Sequence, residues 1–241
     1  MRSLLILVAH PDDETFFAAG TMAKYAKAGV PIGIVCATGG ERGATSGVCS
    51  IEELPRVREA ELREAARLLG VGDVELLPYE DQKLGAAPTV EIRRQIVQAI
   101  RRRRPQIVIT FDPNGANQHT DHIAISRFAS DGVSAAADKR WYPETGPAHV
   151  VERLLWPSPV PVFDLGRTPD LASQPGIDFL IDVAPFRERK AAALRAHRTQ
   201  FASIHKLFFE KDDPEKTMSV EAFRIGWGPR PPKVPSDDLF A

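Results

Sequence analysis

The chain has 241 residues, 43% of them hydrophobic and 26% charged, with a formal net charge of −1. That length supports one sizeable core, and the near-neutral balance gives no field that would gather nucleic acid or an anionic membrane surface. No apolar run approaches the ~20 residues of a membrane span, and the short run Leu4–Ala9 ends at once in acids, unlike a secretion signal, so the expected compartment is the cytoplasm.

From the N-terminus, short β-branched runs alternate with longer helical patterns. Strands are predicted at Leu4–Val8, Ile32–Ala37, Val74–Leu77 and Ile107–Phe111. None alternates between apolar and polar residues, which is how strands covered on both faces of a parallel sheet read. Helices are predicted over Glu14–Ala28, Pro55–Leu69 and Val90–Arg103, stopped by Gly29, Gly70 and Pro105. In the third, Ile92, Ile96, Val97 and Ile100 recur at helical spacing. Strand, helix, strand at this spacing is the βαβ unit of a doubly wound α/β sheet, expected over residues 3–135 of a single domain spanning 1–241. The run Arg101–Arg104 falls in the last turn of the third helix, where it is expected to complement the helix dipole and stay solvated. No aromatic residues interleave with it to stack bases, so it does not argue for nucleic acid. Of the two cysteines, Cys36 lies in an apolar run and reads as packing, while Cys49 lies in a loop; no C-x-x-C pair exists.

The remainder is less regular. Thirteen of the twenty prolines fall from Pro143 onward, which predicts loops and short edge strands. Against that background stand a strand at Phe179–Val183 and a helix at Phe186–Phe201 carrying Lys190, His197 and Gln200. The tail from Gly226 is expected to wrap a surface or a neighbouring subunit.

In an open α/β sheet, ligands bind beyond the carboxyl ends of the strands. The first strand runs there into Ala9-His10-Pro11-Asp12-Asp13-Glu14. A dinucleotide site would place glycines in this loop, whereas three acids repel phosphate. A histidine and two aspartates suit a divalent cation; helix capping by Asp12 and Asp13 is the alternative. The stretch FDPNGANQHTDHIAI after the fourth strand adds His119 and His122, whose spacing lets both imidazoles share one side of a helical turn. Because strands one and four can be neighbours at the crevice, the two loops together point to a metal site, and two imidazoles favour zinc over magnesium.

AHPDDE together with HTDH resembles the zinc-dependent N-deacetylases of the PIG-L/LmbE type, which remove acetyl from N-acetylglucosaminyl groups and related amides. TGGERG, RVREAELREAARLLGV, YEDQKL and KAAALRAHRTQ follow in the family's order, so the resemblance covers most of residues 3–202. It implies a Rossmann-like, mainly parallel sheet with helices on both faces. It further implies one Zn²⁺ held by His10, Asp13 and His122, with Asp12 as general base and His119 stabilising the oxyanion or acting as an acid. Glu41, Arg58 and Asp81 match positions that contact sugar hydroxyls, although Arg58 could simply pair with Glu61 and Glu41 brace its loop. Asn117 stands near a family tyrosine that has no match here. Asp121 either orients a ligand imidazole or faces solvent. Lys190 and His197 are placed on one helix face, beside the site or packed under the sheet. Departures are Thr120 for the family's proline and Thr199 for its late serine. Glycines 39, 40, 43 and 47 suggest a loop that closes over substrate.

The implied partner is a small N-acetylated sugar or glycoconjugate, and the implied assembly a homo-oligomer, trimer or hexamer. The competing readings are an amidase for a larger thiol-glycoside conjugate, a Mg²⁺-dependent phosphoesterase, and a non-catalytic metal- or sugar-binding module.

Overall fold

Strand β1 (Leu4–Val8) is buried along its whole length, and the sheet is built outward from it. The computed structural model describes residues 1–158, 176–211 and 213–241. The other strands are β2 (Ile32–Thr38), β3 (Asp73–Tyr79), β4 (Ile107–Ile109), β5 (Arg153–Pro157), β6 (Phe179–Asp182) and β7 (Val220–Trp227), in the spatial order β3-β2-β1-β4-β5-β7-β6. Strands β1 to β5 pair in parallel, and β7 runs antiparallel to both its neighbours. The ends of β1 and β4 therefore open side by side, as the βαβ reading requires.

Helices α1 (Asp13–Lys27), α2 (Leu54–Leu69) and α6 (Arg187–Ala196) cover one face; α3 (Thr89–Arg103) and α5 (Thr120–Ala137) cover the other. Between β4 and α5 lies α4 (Gly115–Gln118), a distorted turn. Successive residues of β1 point to opposite faces, so Leu4, Ile6 and Val8 join the first apolar layer and Leu5 and Leu7 the second. Within the second layer Gly132 of α5 is pressed onto Ile96 of α3, so close that a Cβ there would stand 2.4 Å from the Ile96 side chain.

Several expectations are corrected. Strand β3 is a sheet edge and largely part-exposed rather than covered on both faces. Strand β4 stops at Ile109, before the predicted Phe111. Strands β5 and β7 carry no local pattern that announces them. The predicted helix 186–201 breaks at His197, because the His197 and Thr199 side chains are drawn to Glu14 and Glu61, after which a 3₁₀ turn and a short helix resume. Cys36 is buried, as expected of a packing residue.

The arginine run is solvated only in part: Arg102 and Arg104 are exposed, as expected, and the other two are not. Arg101 is buried and donates to the carbonyls of Ala135, Ala136, Asp138 and Tyr142, while Arg103 pairs with Asp73 and Glu75 on β3. No helix among the described residues is long and apolar enough to cross a membrane.

The C-terminal tail wraps this chain's own sheet. Ser236 bridges to β6, donating its amide to Asp178 O and accepting from Leu180 N, and Leu239 is fully buried. Arg153 of β5 clamps the tail by donating to the carbonyls of Pro229, Leu239 and Ala241. Four of the C-terminal prolines, 159, 161, 169 and 175, lie outside the described residues. Arg153→Leu leaves those carbonyls without their donor, and a loss of roughly 2–4 kcal/mol is expected from charge-assisted bonds of this kind. Urea unfolding should show it, with trypsin cutting the tail faster than in the parent.

Candidate active site

A cleft of about 590 Å³ opens where β1 and β4 end. Backbone strain collects around it: Asp12, Gln82, Ala116 and Gln118 all adopt positive φ, at 114°, 64°, 59° and 66°. Such conformations cost about 1–3 kcal/mol each and persist where the surroundings hold them.

Asp12 and Asp13 do not serve as side-chain caps. Asp12 occupies the N-cap position of α1 without a capping hydrogen bond. Asp13 instead turns back on its own loop, where its Oδ2 accepts from the amides of Ala9 (3.2 Å) and His10 (2.7 Å). Its Oδ1 lies 3.2 Å from His122 Nε2, and its Oδ2 lies 3.5 Å from His10 Nδ1. His122 Nε2 and His10 Nδ1 are 3.2 Å apart, although the residues are 112 positions apart in the chain.

The far nitrogen of each imidazole is tied down. His10 Nε2 faces Asp81 Oδ1 at 3.0 Å and Asp121 Oδ2 at 3.2 Å; His122 Nδ1 faces Gly115 O at 3.1 Å and Asn117 Oδ1 at 3.0 Å. These acceptors place a proton on the far nitrogen and turn the other lone pair inward, the arrangement that orients metal-ligating histidines. Asp121 is completely buried and also accepts from the amides of Gln82 and Leu84, so of its two readings the exposed one fails.

The donor set fits a divalent cation. His122 Nε2 and His10 Nδ1 stand 3.2 Å apart, and the Asp13 carboxylate reaches the first through Oδ1 at 3.2 Å and the second through Oδ2 at 3.5 Å, spacings close to the roughly 3.3 Å between ligands of a tetrahedral zinc with ~2.0–2.1 Å bonds. His119 is close by, able to bring a ring nitrogen within 4.8 Å of those of His10 and His122. Charge agrees with geometry. Burial opposes a charged His10, but Asp121, Asp13 and Asp81 outweigh it and push the imidazole up to about 12. Asp13 is held well below the usual carboxylate range, with burial opposing and His122 and His10 prevailing. So much surplus negative charge around two imidazoles suits a cation.

Asp12 stands beside this set. Its carboxylate lines the cleft 3.4 Å from Arg58 Nη2. Burial pushes it up to about 6, against the pull of the Arg58 guanidinium. His119 caps α5 in place of an acid, its Nδ1 accepting from Asp121 N at 3.2 Å. The remaining ring nitrogen therefore carries the proton and is a donor. Burial, with His10 and His122 near, pushes this imidazole's pKa down, which keeps it neutral.

The residues expected to meet a sugar take more structural parts. Arg58 does not pair with Glu61; it pairs with Asp12 and donates to the carbonyls of Pro11 and Gly40. Gly40 has φ +63°, and a Cβ there would sit 2.2 Å from the guanidinium. That close approach, rather than a need for motion, accounts for the glycine. Glu41 braces the loop by accepting from Asp81 N at 2.6 Å. Asp81 and Asn117 line the cleft while also holding His10 and His122.

His197 and Lys190 have separate partners. Buried His197 meets Glu14 of α1 at 2.8 Å, and buried Lys190 meets Glu221 of β7 at 2.7 Å. Sequence reasoning missed Glu14 as a member of this region, although three adjacent acids signal that one needs a cationic or donor partner. The apolar wall of Phe16, Leu207 and Phe208 carries no signal in the sequence at all.

Residues 5–133, more than half of the chain, match the family model of the PIG-L GlcNAc-PI de-N-acetylases. The chain belongs to this family. Among PIG-L relatives, a 1D-myo-inositol 2-acetamido-2-deoxy-alpha-D-glucopyranoside deacetylase of Geodermatophilus obscurus is 32% identical over 100% of this chain and 97% of its own length. A mycothiol S-conjugate amidase of Streptomyces coelicolor is 37% identical, with 99% and 96% covered. The PIG-L fold also superposes on the N,N'-diacetylchitobiose deacetylase of Pyrococcus horikoshii, with TM-score 0.73, 24% identity, and 93% and 83% covered. The α/β sheet with helices on both faces is thus the family's fold, and β5 to β7, beyond the matched segment, fall within the full-length relatives' alignments.

Proposed function

We propose that this PIG-L protein is a zinc-dependent N-deacetylase that hydrolyses the acetamide of an N-acetylglucosaminyl sugar or glycoconjugate. The observation that carries the proposal is the inward convergence of His10 Nδ1, His122 Nε2 and the Asp13 carboxylate, with the carboxylate of Asp12 left over beside them. A divalent cation held by His10, Asp13 and His122 supplies Lewis acidity and makes water nucleophilic near neutral pH.

Asp12 takes the proton that the attacking water gives up. His119 donates from its protonated ring nitrogen to the carbonyl oxygen as charge gathers there, a contribution of about 2.7–4 kcal/mol for comparable donors. Asp12 then hands its proton to the departing nitrogen, and the proton left on the attacking oxygen passes to the released amine, so water and amide become acetate and an ammonium group with no proton left over. A neutral His119 is better suited to donating a hydrogen bond than to supplying that proton. Arg58 aims Asp12, and Asp81, Asp121 and Asn117 keep the imidazoles in register.

A second reading, cleavage of a larger amide by the same groups, is favoured by the 37% identity to the S-conjugate amidase. The test is zinc content together with acetate release from a panel of N-acetylglucosaminides and one thiol-glycoside conjugate. Chelation is expected to abolish release and zinc to restore it. Amine appearing only from the conjugate would select the second reading, and activity indifferent to chelation would overturn both.

A further inference from the structure

Asp12 holds φ 114° and ψ −33°, a conformation L residues seldom adopt. Its amide is held by Glu14, whose Oε2 accepts from Asp12 N at 3.0 Å. The other oxygen of Glu14 accepts from His197 Nε2 at 2.8 Å, across 183 residues of chain. Both Glu14 and His197 are 0% exposed, and His197 Nδ1 has no hydrogen-bond partner among the described residues. On the other side, Asp12 O accepts from Thr15 N, Thr15 Oγ1 and Phe16 N.

A fully buried pair of this kind can often be replaced by apolar side chains of similar volume without loss of stability, because burying ionisable groups costs several kcal/mol. The pair therefore needs a reason beyond packing. Asp12 occupies the cap position, and a cap residue ordinarily folds its carboxylate onto its own helix. Here Glu14 reaches back to the strained amide, and the Asp12 carboxylate makes no bond to its helix and faces the cleft beside Arg58.

We infer that the buried Glu14–His197 pair is a positioning device for Asp12, locking its strained backbone so that its carboxylate is aimed at the reacting water; this rests on the proton-accepting role proposed for Asp12. His197 fixes Glu14, and Glu14 fixes the Asp12 amide. A carboxylate displaced by about 1 Å loses roughly 10²-fold in rate while leaving substrate contacts intact.

The test compares His197→Leu, His197→Gln and Glu14→Gln, alone and with Asp12→Ala. For His197→Leu, kcat should fall roughly 10–100-fold with KM and zinc content unchanged. His197→Gln, whose amide can still donate to Glu14, should recover most of that loss. In the Asp12→Ala background none of these changes should lower the residual rate further, as expected of residues acting through one group.

A substrate-free arm uses hydrogen exchange at the Asp12 amide, which should accelerate at least about tenfold in His197→Leu and in Glu14→Gln. An unchanged kcat, an undiminished effect in the Asp12→Ala background, or unchanged amide exchange would overturn the inference. If His197→Leu does not fold, the near-isosteric Glu14→Gln answers both arms. If the parent protein releases no amine from any substrate, the deacetylase reading fails, and the amide-exchange arm alone decides on positioning.

Discussion

Asp12→Ala is expected to lower kcat on an N-acetylglucosaminide by about 10²–10⁴-fold, the usual worth of a general base, while zinc content and KM stay close to those of the parent. The separation follows from the division of labour between neighbouring acids. Asp13 spends both oxygens on His122, His10 and two backbone amides, whereas the Asp12 carboxylate makes no capping bond and, among the described residues, pairs with Arg58 at 3.4 Å. Alanine at position 12 retains the positive φ cost and takes the carboxylate from Arg58, which keeps the carbonyls of Pro11 and Gly40 as acceptors, so the fold is expected to hold. Substrate binding measured by calorimetry on Asp12→Ala should match that of the parent. A residual kcat near the parent value would take Asp12 out of the reaction.

The second large effect is expected from Asp13→Ala, which should abolish zinc retention and activity together. Loss of a residue that merely supports a ligand weakens metal affinity roughly 10–100-fold, and Asp13 is proposed as a ligand itself. Its removal also strands the amides of Ala9 and His10, which its Oδ2 satisfies in a buried setting. Metal analysis after dialysis should find less than about a tenth of the parent's zinc, and added zinc should no longer raise the melting temperature as binding to the native state does. Full zinc retention would remove Asp13 from the donor set.

Much of this is legible in the sequence. Apolar runs without alternation announce β1, β2 and β4, and the Gly and Pro stops bound the helices between them within a few residues. A doubly wound sheet allows the His10 and His119 loops to be neighbours, and the observed strand order makes them so. What escapes is set by long-range pairing. Strands β5 and β7 hold their places through partners far along the chain, and the break at His197 is caused by Glu14 and Glu61, which no local window contains. For the same reason a local reading pairs Arg58 with Glu61, one turn away, when its partner Asp12 is brought in by the sheet. Arg101 escapes too, because a solvated arginine and one buried under five acceptors look identical in sequence.

The way the two sheet margins are finished constrains how copies of this chain can associate. An exposed edge strand is a template for another chain, and proteins blunt it with charge, proline or a covering segment. At one margin β3 carries Pro78 together with Asp73 and Glu75, both engaged by arginines of α3. At the other, the tail lies along β6 and satisfies its backbone through Ser236. Continuing the sheet from one molecule into the next would have to displace the tail or bury those charges. Contact between two copies of this chain would therefore meet helical faces and loops before it met an open strand edge among the described residues.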